Sequence, residues 1–368
     1  MSEREHDVIV VGGGPAGATA ALVAARKGLR VVLFDRARFP RDKVCGDAIT
    51  PLGVAMLREL RLLDDVRAIA DETLDHIAIA VGGEARTSRL ETPLLVVNRR
   101  ALDALLITRA GAFADVRQGW HVDDIVREGD AIAGVTGTTP DGRRFCARAR
   151  VVIGADGATS IVARRAAVAD PVGPAPLVAT RAYFRGVALD RRAAEFHFVP
   201  ALAGGYLWIF PAGADRCNVG LCARPDVMAS SGRGLRQWRD QLLGSAAFAP
   251  RFREASLLSA FEGWPIPTGM PRPLAGAGFV LVGDAAGLAD ALWGDGIDTA
   301  FVSGVLAGAH VAAACRASDA GAERLAGYAT SVRRVLASKL AAGAALTQMA
   351  TLDPTLLEHH LLRTLHAG

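Results

Sequence analysis

Residues 8–17 read Val-Ile-Val-Val-Gly-Gly-Gly-Pro-Ala-Gly, and no other stretch restricts the fold as much. Four apolar, mostly β-branched residues predict a buried parallel strand, which runs through G-x-G-x-x-G into an Ala-rich helix over 18–27. Gly12 permits the tight turn, Gly14 leaves room for a pyrophosphate against the backbone, and Gly17 lets helix and strand pack closely. Pro15 and Ala16 stand at the head of the helix, whose unpaired N–H groups face the anion. Gly28 stops the helix, 31–34 form a second strand, and Asp35 falls where a carboxylate grips the adenosine ribose. The combination predicts a dinucleotide site, against the plainer reading of a Gly-rich turn arising by chance.

The 368 residues are enough for a large core and two interleaved domains. The net charge of +4 comes mostly from arginine pairs scattered along the chain, such as Arg143-Arg144 and Arg333-Arg334. No basic run forms, so nucleic acid is not an expected partner. The first strand starts within about seven residues, which leaves no room for a secretory signal. No apolar stretch reads as approaching the roughly 20 residues of a membrane span, although peripheral membrane contact is left open. Five cysteines without a CxxC pair point to a reducing cytoplasm, with neither a disulfide framework nor a metal site expected.

Further along, the loop 36–49 is basic and Gly-punctuated; Arg36 and Lys43 suit phosphates, or are solvated surface charges. A helix is predicted over 51–63 and a strand over 77–81. Asn98 caps a helix whose first turn holds Arg99 and Arg100, a placement that opposes the helix dipole and calls for a bound anion or a carboxylate. From Trp120 the pattern becomes a three-stranded meander over 120–127, 131–138 and 143–153, ending in the turn Gly154-Ala155-Asp156-Gly157. A strand over 279–282 feeds Gly283-Asp284-Ala285-Ala286-Gly287. Gly294-Asp295-Gly296 then opens a helix reaching about Cys315. In an open α/β sheet such turns meet at the carboxyl edge of the strands. Residues 205–210 predict a strand with Tyr206, Trp208 and Phe210 on one face and Leu207 and Ile209 on the other, suited to an apolar ligand or to ordinary core.

Taken together, GxGxxG with Asp35, Arg99-x-x-Leu-Asp103, the meander, GADG at 154–157 and GDAAG at 283–287 resemble the flavoproteins of the p-hydroxybenzoate hydroxylase group. The resemblance covers about residues 7–315 and implies FAD as cofactor. It implies that Asp35 and Arg36 meet the adenosine, Arg99 the pyrophosphate region, and Val122 the adenine through its backbone. Asp156 belongs to the cofactor set, and Asp284 meets the ribityl chain and pyrophosphate. Gly294, Gly296 and Ile297 head a helix whose positive end faces the isoalloxazine and favours the reduced, anionic flavin.

Within that group, Lys43-Val44-Cys45-Gly46-Asp47-Ala48, Ser160-Ile161-Val162-Ala163-Arg164 and Tyr206-Leu207-Trp208-Ile209-Phe210-Pro211 resemble the geranylgeranyl reductase family. The implied activity is saturation of isolated double bonds in an isoprenoid or similarly apolar substrate, held by Tyr206, Trp208, Phe210 and Trp293. The implied electron donor is NAD(P)H, bound transiently for want of a second GxGxxG, or a reduced carrier protein. Lys43, Cys45 and Gly46 come near the ring by the same resemblance, with Cys45 as candidate proton donor or as a packing thiol. Asp42 and Asp47 read as loop hydrogen-bonders rather than acids, Cys217 and Cys222 as core on opposite faces, and Glu358-His359-His360 as the polar side of a terminal helix. The chain departs from the family in 289–296, where its usual Pro and Glu are replaced, and in a short tail without an obvious lid, so a smaller substrate is allowed.

The expected fold is α/β: a three-layer, Rossmann-like FAD-binding domain (1–75, 97–175 and 265–315) interleaved with a smaller antiparallel-sheet substrate domain (76–96 and 176–264), then C-terminal helices (316–368). Two rivals remain. One is a flavin-dependent monooxygenase or halogenase, whose W-x-W-x-I-P string the aromatic strand also resembles; halogenases need a positioned lysine, and there is none between Val44 and Ser338. The other is a non-catalytic flavoprotein partner.

Overall fold

The computed structural model describes residues 6–82, 84–166, 177–269, 273–353, 356–357 and 360. Val8–Val11 is wholly buried near the centre of a six-stranded sheet. The strand order is 275–276, 279–281, 151–154, 8–11, 31–35, 115–118, parallel except for the first. Strands buried on both faces suit the unbroken Val/Ile/Leu runs seen in the sequence. Val11 pairs with Gly154, and Gly154 with Leu281, so the turns that follow these three strands emerge side by side at one edge.

One face is covered by the helices Pro15–Arg26 and Ile297–Arg316, which meet at a close crossing. A Cβ on Gly304 would stand 2.9 Å from Thr19 Cβ, and one on Gly308 2.7 Å from Val23 Cβ. A three-stranded meander, 121–128, 131–138 and 144–148, packs on the other face. Phe145 of the meander stacks on Phe34 of the parallel sheet at 4.9 Å between centroids.

The second sheet has nine strands and is mixed. Its central pairs are 177–185, 216–223, 206–211 and 193–198, followed by the long hairpin Glu72–Val81 and Glu84–Val96. One face packs Leu207, Ile209, Val219 and Leu221 against Trp238 and Phe248, while the other carries Tyr206, Trp208 and Phe210. Cys217 and Cys222 are buried on opposite faces, as their five-residue spacing requires.

Four expectations need correction. The strand read as 77–81 is one arm of the hairpin, whose partner was missed because Glu84, Arg86, Arg89 and Glu91 leave it no apolar signature. The third meander strand stops at Arg148, and 151–154 enters the parallel sheet instead. The helix over 51–63 is two, Pro51–Glu59 and Leu63–Ala68. Finally, among the described residues two helices are long and apolar enough to cross a membrane, by length and composition. Ile297–Arg316 is largely core, and the 31-residue helix Ala322–Leu352 lies along it by one face. Glu358 and His359 lie outside the described residues.

Candidate active site

The residues singled out for cofactor and substrate line one cavity of about 1170 Å³, with Gly17 alone outside it. A usual small-molecule pocket holds about 300–1,000 Å³, so there is room for more than one compact ligand.

At one end lies the glycine turn. Gly12 has φ +100°, and a Cβ there would fall 2.7 Å from the Ala155 carbonyl carbon. Gly17 is sealed by packing, since its Cβ would stand 2.9 Å from Ala155 Cβ. Gly14 differs. The nearest atom to a Cβ there is Arg41 Nη2 at 3.8 Å, so the backbone borders open space at the helix N-terminus. The Asp35 carboxylate is fixed by Gly13 N–H (2.6 Å) and Ala37 N–H (2.7 Å), at the cavity wall beside exposed Arg36. Val122 lines the same end at the start of the meander.

In the middle, cations gather. Arg99 is buried and makes a bidentate pair with Asp103, 2.8 Å on both arms, so a carboxylate four residues on does answer the misplaced charge. Arg41 reaches Asp103 at 2.8 Å. The Lys43 ammonium sits 4.1 Å from the Trp264 ring centroid, and burial lowers its pKa to about 8, against the pull of Asp284. Burial raises the Asp284 carboxyl, with Lys43 and Arg99 opposing. Gly296, the N-cap of the helix Ile297–Arg316, brings its backbone close to the Asp284 carboxylate, and Gly294 turns the chain with φ +63°. Asp156 is used differently from a free ligand. Its carboxylate takes hydrogen bonds from Ser160 Oγ (2.5 Å) and Ile161 N–H (2.6 Å), holding the start of the short helix Ile161–Arg165.

At the far end the wall is aromatic. Phe196 stacks edge-on against Phe210 (5.0 Å) and Trp293 (5.2 Å), and the Tyr206 hydroxyl donates to the Trp293 carbonyl. Ile77, Leu90, Leu94, Ala179 and Ile266 complete this apolar chamber. Trp208 is locked by its indole N–H on Asn218 Oδ1 at 2.9 Å.

Between the two ends runs the loop 45–47. Gly46 is pressed on the aromatics, a Cβ there falling 3.1 Å from Phe210. Cys45 lines the cavity, and burial pushes its thiol up, away from the reactive thiolate. Asp42 is the loop hydrogen-bonder expected, accepting from Lys43 N–H and from Arg181. Asp47 is more than that: it is wholly buried, and burial raises its carboxyl to about 6. Sequence reasoning also missed Lys339, which reaches the cavity from the C-terminal helix and pairs with Asp295 at 2.5 Å. Only Asp42 and Asp47 carried a local signal, as acids in a Gly-punctuated loop; Lys339 carried none.

An FAD binding domain family matches residues 5–197, just over half of the chain. A digeranylgeranylglycerophospholipid reductase of Methanocella arvoryzae is 31% identical over 92% of this chain and 85% of its own. The chain belongs to the geranylgeranyl reductase family. It is an FAD-dependent oxidoreductase. Digeranylgeranylglycerophospholipid reductase 1 of Methanopyrus kandleri is 32% identical over 88% of the chain and 85% of its own. Among solved structures, a geranylgeranyl bacteriochlorophyll reductase-like protein of Thermoplasma acidophilum superposes with TM-score 0.87 at 24% identity, covering 96% of this chain and 90% of its own. A flavin-dependent brominase superposes with TM-score 0.81 at 19% identity, covering 98% and 93%. These two likenesses speak for the fold, which reductases and halogenases share.

Proposed function

We propose that the protein saturates isolated double bonds of a polyprenyl chain. The observation that carries this reading is the two-ended cavity, with a cationic, glycine-lined end continuous with an apolar aromatic chamber. The names of the two digeranylgeranylglycerophospholipid reductases support it.

The cavity fits FAD on its own chemistry. Gly14 borders open space at a helix N-terminus, and Lys43, with Arg41 and Arg99 both held by Asp103, gives the adjoining wall the positive charge a diphosphate needs. Gly12, Gly14, Pro15 and Ala16 form the phosphate turn, Asp35 and Arg36 the adenosine end, and Val122 the adenine wall. Asp284, Gly294, Gly296 and Ile297 surround the ring end with Lys43, Cys45 and Gly46, while Asp156 shapes its turn from beneath. When bound and reduced, FAD supplies a hydride to one alkene carbon. The protein then has to hold the alkene over the ring, keep water away and deliver a proton to the neighbouring carbon. Tyr206, Trp208, Phe210 and Trp293 provide a rigid apolar bed for the first two tasks. The segments 1–75, 97–175 and 265–315 serve mainly the cofactor, and 76–96 with 176–264 mainly the substrate, with Ile266 and Trp293 crossing to the apolar chamber.

NAD(P)H or a reduced carrier protein supplies the electrons. Five unpaired cysteines suit the cytoplasm, with the lipid drawn from a membrane surface.

Anaerobic enzyme, reduced chemically and mixed with geranylgeraniol in detergent, should return to oxidised flavin with loss of one double bond per flavin. Reoxidation by oxygen alone, with a hydroxylated product, would sink the proposal. One observation keeps a halogenase reading in view. Lys43 and Lys339 both line the cavity, so the gap between Val44 and Ser338 does not empty the site of lysine. Lys339 is engaged by Asp295, so Lys43, over the Trp264 ring, is the amine such a reading would need. Aerobic incubation with bromide and an aromatic acceptor decides it, and no brominated product is expected.

A further inference from the structure

We infer that Asp47 is the acid that stores and delivers the proton for alkene saturation, held in place by Tyr183 and Asn218. The inference rests on the reductase reading and adds to it the residue that completes the addition across the double bond.

Three observations place Asp47 in this role. It lines the cavity in the loop that separates the cationic end from the aromatic chamber, directly after Gly46, where a Cβ would fall 3.1 Å from Phe210. Its side chain is wholly buried, and its two oxygens are treated unequally. Oδ2 accepts from the Tyr183 hydroxyl and from Asn218 Nδ2 at 2.8 Å, whereas Oδ1 has no hydrogen-bond partner. Such an orphaned buried oxygen is disfavoured unless it carries a proton or meets a ligand. The backbone at Asp47 is also left-handed, φ +67°, a conformation uncommon outside glycine and concentrated at functional sites.

The surroundings are built to hold this carboxyl rigidly. Asn218 Oδ1 accepts from the Trp208 indole, so one amide ties the acid to the substrate wall. Asn98 Nδ2 donates to the Tyr183 oxygen at 2.8 Å, which turns the Tyr183 proton towards Asp47. The charged and titratable groups facing Asp47 are Tyr183 and Arg181 from strand 177–185, Arg99 from the helix Arg99–Gly111, and Cys45 from its own loop. Burial raises its carboxyl to about 6, while Tyr183, Asn218, Arg181 and Arg99 pull the other way. Burial, with Asp47 next in order, pushes Tyr183 well above the usual phenol range, so it stays a donor. Cys45 is a poorer store, since a thiol raised by burial gives up its proton more reluctantly than a carboxyl poised near neutrality.

The step balances. With reduced FAD bound as the two-electron donor, one alkene carbon would take its hydride while the Asp47 O–H bond breaks and that proton forms the C–H bond at the adjacent carbon. Oxidised flavin and the Asp47 carboxylate remain, and the carboxylate regains a proton from water once product leaves.

The test pairs an infrared titration with single-turnover kinetics on wild type, Asp47→Asn, Asp47→Glu and Tyr183→Phe, all loaded with FAD. A carboxylic-acid band that titrates near pH 6, missing in Asp47→Asn and with a higher midpoint in Tyr183→Phe, supports the proton store. Absence of such a band from the wild type overturns it, whatever the substrate proves to be. With geranylgeraniol, anaerobic reoxidation should slow as pH rises through that midpoint, fall about 100-fold in Asp47→Asn with flavin retained, and recover partly in Asp47→Glu. An Asp47→Asn enzyme with wild-type rate and pH profile overturns delivery by Asp47. Failure of the wild type itself to be reoxidised refutes the reductase reading instead, and leaves the infrared result to decide the acid.

Discussion

The Trp208 indole occupies the space that a side chain at residue 220 would need: a Cβ built on Gly220 would stand 2.5 Å from Trp208 Cε2. The two residues are register partners on neighbouring strands, and the indole is also pinned by Asn218. Gly220→Ala should therefore push the indole off Asn218 and destabilise the fold by about 1–3 kcal/mol, the usual range for overpacking a filled core. Urea unfolding measures this, and an unchanged midpoint would contradict the placement of the ring.

The glycines of the first turn divide into two kinds. Gly14→Val should fold normally, because its side chain enters open space, yet lose about tenfold or more in FAD affinity, equivalent to roughly 1.4 kcal/mol. Gly17→Val should fail earlier, yielding unstable protein, because Ala155 and the Gly12 backbone already fill that position. Flavin fluorescence on release and circular dichroism separate the two outcomes.

Lys339 joins the C-terminal helix to the loop before Ile297 through Asp295. Lys339→Met should cost about 1.5–3 kcal/mol, the range for losing a hydrogen bond to a charged group. Adding Asp295→Asn should recover part of that loss, because the stranded carboxylate is then gone. Additive single effects in the double-mutant cycle would show that the pair does not couple.

Stability should also follow pH through Asp298. This buried acid accepts from Thr50 N–H at 3.3 Å and from the Thr50 hydroxyl; burial and then the Asp295 charge raise its pKa from 3.8 to about 7. An acid that binds its proton more tightly when folded stabilises the protein fully below about pH 4 and loses that contribution as pH rises towards 7. Relative to Asp298→Asn, which mimics the neutral acid, the wild-type melting temperature should therefore fall between about pH 4 and 7. A constant difference across that window would refute the raised value.

What the sequence disclosed was local in origin. Gly12, Gly14, Asp35, Asp156 and Asp284 each sit in a turn with its own signature, and parallel register brings those turns together. Alternation along 206–210 assigned the two faces correctly for the same reason. The arrangement around Asp47 was hidden because its partners Tyr183 and Asn218 lie 136 and 171 positions away. No periodicity marks a pairing of that span. Lys339 was obscured in another way, as one lysine just before an Ala-rich run in a helix with no chemical motif.

The strand order has a temporal consequence. Val8–Val11 is made before its neighbours 31–35 and 151–154, and 279–281 lies beyond the latter. During synthesis the opening segment must wait for much of the chain before its nucleotide edge is assembled. Lys339 arrives later still, after the helix Ile297–Arg316 has been made, so the pocket gains this charge only once the helix Ala322–Leu352 is under way. A nascent chain halted short of that point would expose an apolar trough, the state from which aggregation and proteolysis start.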